Sequence, residues 1–136
     1  MNRIVILFAL LACAAASPDN EPAKDGELSG VYHLVGVENG KTYYGVCVIS
    51  HEDGIDIVSA VHVVGGGVTH GIGVRKGDTI ALAWKQTVPA NGTIGSTLYT
   101  ISKDKKTLEG LWVTPGTDVP RKETLRFLRK VKDRET

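Results

Sequence analysis

This 136-residue chain is poor in several features, and each shortage narrows what it can be. It carries two cysteines, Cys13 and Cys47; the first lies in a segment that reads as removed in processing, which leaves Cys47 alone and no internal disulfide to staple the fold. Five prolines exclude a Pro-rich polymer. No apolar run approaches the roughly 20 residues that a membrane-spanning helix needs; Ile4 to Leu11 falls short even with the small residues Ala12 to Ala16 that follow it. Neither sign of charge dominates: 16 Lys and Arg against 15 Asp and Glu give +1, with no general electrostatic case for nucleic acid or an anionic membrane. Beyond the N-terminal run no 11-residue window shows a clear apolar stripe at i, i+3 and i+4, which argues against a helical bundle. H-E-x-x-H, G-x-S-x-G and CxxC signatures are all missing, and no carboxylate pair has a sequence reason to converge. No cofactor or metal set is called for.

What is present is 42% hydrophobic residues, enough for one core, and 16 glycines. Residues 1–16 combine a basic start, the apolar run Ile4 to Leu11 and the small residues Ala12 to Ala16, the pattern of an export signal. Cleavage after Ala16 gives a periplasmic or extracellular protein. Leu10-Leu11-Ala12-Cys13 also resembles a lipobox, in which Cys13 would be lipidated and anchor the chain to the envelope. Residues 17–27 are polar and read as a flexible leader.

From Leu28 onward, runs rich in Val, Ile, Thr and aromatics alternate with turn clusters about every 12 residues, the pattern of an all-β sandwich or barrel. The expected strands are Leu28 to Val37, Thr42 to Ser50, Ile55 to Val64, Val68 to Val74, Thr79 to Gln86, Ile94 to Ile101, Thr107 to Thr114 and Lys122 to Val131. The last segment also fits a helix, but Leu125 and Phe127 flanking Arg126 favour a half-buried strand, and an eighth strand can close the sheet. All connections are short, so successive strands are expected to be antiparallel neighbours. The prediction is an eight-stranded antiparallel up-and-down meander barrel over residues 28–131, with a charged tail at 132–136. Glycines 30, 36, 45, 71, 73, 95 and 110 fall inside strands, where a small, highly coiled barrel needs close backbone approach.

Gly30-Val31-Tyr32 and Gly110-Leu111-Trp112 resemble the Gly-x-aromatic strands of the calycin group, the lipocalins and avidins. The wider pattern adds Asn39-Gly40, Gly71-Ile72-Gly73 and Leu108-Glu109-Gly110 with Glu123-Thr124-Leu125. It is similar to small exported bacterial proteins of undefined activity, some labelled as fibronectin-binding. The resemblance implies a barrel and an envelope or extracellular address, with small-ligand binding as in the calycin group; the fibronectin-binding label is tied to no residue of this chain.

Three sets of residues are candidates for function. Tyr32, Trp84 and Trp112, all on expected strands, either line an apolar ligand pocket or simply fill the barrel. A basic C-terminal segment (net +4 over residues 121–136, against −4 over 17–120) puts Arg126, Arg129 and Lys130 where they can dock an anionic partner or merely guard a terminal strand. His62 and His70 are symmetric about Gly66. In a hairpin centred there they face each other about 5 Å apart, as a metal or pH-sensitive pair or as a solvated cross-strand pair. The solvated pair is the simpler expectation, since zinc sites need three or four protein ligands and His33 and His51 have no convergent spacing. Together these features predict an exported, non-enzymatic binding module with a small apolar ligand in the barrel. The alternative is a protein- or glycan-binding scaffold with a solid core, with an enzyme as the third class.

Overall fold

The computed structural model describes residues 28–52 and 55–131. The segments expected to be an export signal with Cys13, a polar leader and a charged tail lie outside the described residues. The strands are β1 (Gly30–Glu38), β2 (Lys41–His51), β3 (Ile57–Val64), β4 (Gly67–Lys76), β5 (Thr79–Val88), β6 (Ile94–Ile101), β7 (Thr107–Val113) and β8 (Arg121–Arg129). Each pairs antiparallel with the next, and β8 returns to β1, for instance at Leu34 opposite Leu125, so the sheet is a closed up-and-down barrel with no free edge.

Local chemistry explains the connections. Asn39-Gly40 forms a two-residue turn with φ of 50° and 74°, placing Glu38 opposite Lys41; Asn and Gly are the residues that accept positive φ at both central positions. The C-terminal segment is a strand because its period is two. Glu123 and Leu125 are buried and Phe127 half-buried, while Lys122, Arg126 and Leu128 are exposed.

The triple glycine departs from expectation. Only Gly65 and Gly66 make the turn, and Gly67 already belongs to β4, opposite Val64. The hairpin axis therefore falls between two residues, and His62 pairs with Thr69 while His70 pairs with Val61. A shift of one residue moves a side chain to the other face of the sheet. His62 points inward and is buried; His70 is exposed on the outer wall. The two do not form a cross-strand pair, either metal-holding or solvated.

The interior is filled over one half of its length. Leu28, Leu34, Ile49, Val58, Ile80, Leu108 and Leu125 pack there around Tyr32, with Cys47 among them. Tyr32 is fully buried, its hydroxyl donates to the Leu28 carbonyl at 2.8 Å, and its ring meets Phe127 edge-on at 5.6 Å. Leu28 precedes β1 yet is fully buried. It covers the end of the barrel where the β2–β3, β4–β5 and β6–β7 connections lie.

Candidate functional site

At the opposite end, beside the β1–β2 and β3–β4 hairpins, the interior stays open as a cup of about 570 Å³. Its walls and floor include Tyr43 from β2, His62 from β3, Trp84 from β5, Thr97 from β6, Trp112 from β7 and Glu123 from β8. The solid core allowed for as an alternative is therefore present only in the closed half. His62 is in alternation phase with the core residues Val58 and Ala60 of its own strand, and Glu123 with Leu125.

Glycines keep the cup open. Gly36 lies across from Tyr43 and Gly95 across from Trp84. A Cβ built on either glycine would run into the facing ring. The rings thus lie down over bare backbone instead of projecting into the barrel axis, a cross-strand arrangement open only to glycine.

A hydrogen-bond network forms the floor. Tyr43 donates to Glu123 Oε2 at 3.1 Å, and Tyr99 donates to Glu123 Oε1. Trp112 Nε1 donates to the Tyr43 hydroxyl at 2.9 Å, and Trp84 Nε1 to Thr97 Oγ1 at 3.0 Å. His62 Nε2 lies 2.8 Å from the Tyr99 oxygen. Because the Tyr99 proton goes to the carboxylate, His62 must donate through Nε2, an assignment made from the network. Its Nδ1 is then an acceptor, buried and without a partner. Two chains of donors, indole to phenol and imidazole to phenol, converge on Glu123.

Electrostatics follow burial. His62 is held below its ordinary pKa of 6.5 by desolvation, only partly opposed by Glu123 at 3.8 Å, so it is neutral at pH 7. Desolvation, reinforced by the Glu123 charge, pushes the Tyr43 and Tyr99 phenols well above 10.0 and keeps them donors. Burial likewise pushes Tyr32 up to about 12. The Cys47 thiol is also driven up by burial, which makes it a core hydrophobe and a poor nucleophile. At the lip Arg121 pairs with Glu38 at 2.6 Å and stacks over Trp112, 5.1 Å from the ring centroid.

A pH dependence of stability follows, with its sign set by linkage. Below about pH 6.5 the unfolded chain protonates His62 while the folded protein resists, so stability falls with pH from there down to the lowered folded pKa. Above pH 10 the unfolded chain ionises Tyr32, Tyr43 and Tyr99 first, and stability falls again. One such group contributes a slope of at most about 1.4 kcal/mol per pH unit. Denaturant titrations from pH 4 to 11 are expected to show this plateau, and His62→Gln is expected to flatten the limb below 6.5. An unchanged acid limb in that variant would show that other groups cause it.

Of the residues singled out from sequence, Trp84 and Trp112 line the cup, their rings edge to face at 6.2 Å. Tyr32 does not; it belongs to the packed half, because its position on β1 lies toward the closed end. Arg126, Arg129 and Lys130 are exposed on the outer wall and beyond the end of β8, away from the cup. Among the described residues no three His, Cys, Asp or Glu side chains gather as a metal site. Sequence reasoning does not single out Glu123, Tyr43, Tyr99 and His62 as one network. The available signal is the phase: Glu123 stands two residues before Leu125 on the same face, where a charge inside an apolar alternation marks a buried polar group. No family model matches the chain, and no curated protein matches it significantly.

Proposed function

We propose that this chain is an exported, non-catalytic binding module that holds a small molecule in the open end of its barrel, against Trp84 and Trp112. The observation that carries this is the cup itself: about 570 Å³ beside a filled core, with two indoles on its walls and converging polar groups on its floor. Small-molecule sites typically occupy about 300–1,000 Å³ and combine such apolar walls with a few placed polar atoms. A binding role without a chemical step is supported by the internal use of the site's donors and by the inert Cys47. The expectation of a wholly apolar ligand is narrowed, since Glu123 and Thr97 require a polar group at the buried end.

Native mass spectrometry of protein purified from its own host is expected to show a retained small molecule at near-stoichiometric occupancy. Trp84→Ala is expected to lower that occupancy by about tenfold or more, the effect of losing one wall of an apolar site. Both tryptophans of the chain lie in the cup, so removing the molecule should also shift the intrinsic fluorescence. A barrel that retains nothing and whose fluorescence is insensitive to small apolar probes would rule the proposal out.

A further inference from the structure

Ligand charge can be read from the floor of the cup, granted that the cup is the small-molecule site proposed above. Apart from the Thr97 hydroxyl, which accepts from Trp84 and keeps its own O–H, the donors of the network are consumed internally. Both indole N–H groups, both phenol hydroxyls and His62 Nε2 are committed to Thr97, Tyr43, Glu123 and Tyr99. What remains is mainly acceptor capacity: a carboxylate offers about four acceptor sites, Glu123 uses two of them, and His62 Nδ1 has no partner.

Among the described residues Glu123 also lacks a counter-charge. Its side chain is 8% exposed. His62, the ionisable base within 4 Å, is kept neutral by burial. Arg121 is already paired with Glu38, and Lys41 is exposed on the hairpin, where solvent screens it. A buried carboxylate with no cationic partner is costly, and a cation supplied from outside relieves that cost. The walls favour the same charge. Indole faces attract cations, and Trp112 already stacks the Arg121 guanidinium on one of its faces.

We propose that the cup binds an organic cation: a protonated amine on a compact apolar body, with its N–H groups at Glu123 and its body packed against the wall that Trp84 and Trp112 form together. A neutral molecule of the same shape satisfies the walls but leaves the carboxylate uncompensated. An anion meets Glu123 directly and is disfavoured.

Three probes of one shape test this: phenethylamine, 2-phenylethanol and 3-phenylpropanoate, titrated at pH 7 and low salt into the full mature chain. The readouts are tryptophan fluorescence and calorimetry. The amine is expected to bind about tenfold tighter than the alcohol or better, with the carboxylate weakest. In Glu123→Gln the amine-to-alcohol ratio is expected to fall below about threefold, with near-UV circular dichroism checking that the variant is folded. The comparison in the unmodified protein stands even if that variant does not fold. Equal or tighter binding of the alcohol or the carboxylate overturns the cation inference and leaves the cup reading intact. A tenfold preference that survives in folded Glu123→Gln overturns the assignment to Glu123. If none of the three binds, the cation inference falls, and the retained-molecule experiment decides the cup reading separately.

Discussion

Tyr32→Ala is expected to destabilise the barrel by about 3–5 kcal/mol, the range for deleting a large aromatic from a packed core. The side chain is fully buried, packs edge-on against Phe127 and ties the Leu28 carbonyl to the closed end. Domains of this size are stable by about 5–15 kcal/mol in total, so this one change removes a large fraction. Tyr32→Phe keeps the ring and loses one hydrogen bond, an expected cost of about 1 kcal/mol. Denaturant unfolding of both variants measures the difference. Because Tyr32 lies outside the cup, Tyr32→Phe is expected to retain any cup ligand at the wild-type level. An alanine variant within about 1 kcal/mol of the wild type, far below the scale of core deletions, would show that this end of the barrel is not the packed core.

Glu123→Leu is the second large effect, and it acts through hydrogen bonds left unmade. Tyr99 is fully buried and loses its acceptor, while Tyr43, half-buried at the cup wall, can turn to water. A buried donor without a partner costs about 1–3 kcal/mol, and removing an unpaired buried carboxylate offsets part of what the lost bonds cost, so the expected loss is roughly 1–3 kcal/mol, most of it at Tyr99. Tyr99→Phe alone strands the His62 Nε2–H and frees a lone pair of Glu123. Since both single changes break the same bond, the double variant is expected to cost less than their sum, with a coupling energy of about 0.5–3 kcal/mol. Additive losses would mean that the Tyr99–Glu123 bond contributes nothing to stability.

Tyr32 and Glu123 show how far periodicity reaches. Leu125 and Phe127 around Arg126 mark β8 as a strand, and Asn39-Gly40 marks the first hairpin, because both signals are local: a two-residue side-chain period and a turn that tolerates positive φ. Eight such segments with short connections leave little besides a closed meander, and the barrel closes at β1 and β8 as expected. The in-strand glycines are also legible as sites of close approach, but not what approaches. That Gly36 receives Tyr43 and Gly95 receives Trp84 depends on cross-strand register.

Register is where local signals stop. Three consecutive glycines permit a turn centred on the middle one or a two-residue turn on the first pair, and the choice decides whether His62 and His70 face each other or opposite sides of the wall. Depth along the axis is equally hidden: Tyr32, Trp84 and Trp112 share the inward face, yet only the indoles stand at the open end. Charge counting groups Glu123 with the basic C-terminal residues, although its strand turns it inward while Arg126 faces out.

Strand order, antiparallel pairing and the alternation that sorts side chains into inner and outer faces are already written in the linear order of residues, since each follows from contacts between near neighbours in the chain. Which inward residues meet is settled only when the barrel closes. Closure brings Tyr43, His62, Tyr99, Trp112 and Glu123 from five different strands into one network. Burial there shifts their proton affinities, and glycines opposite the rings let the aromatics lie against the wall, so that a cup remains where a core would otherwise close.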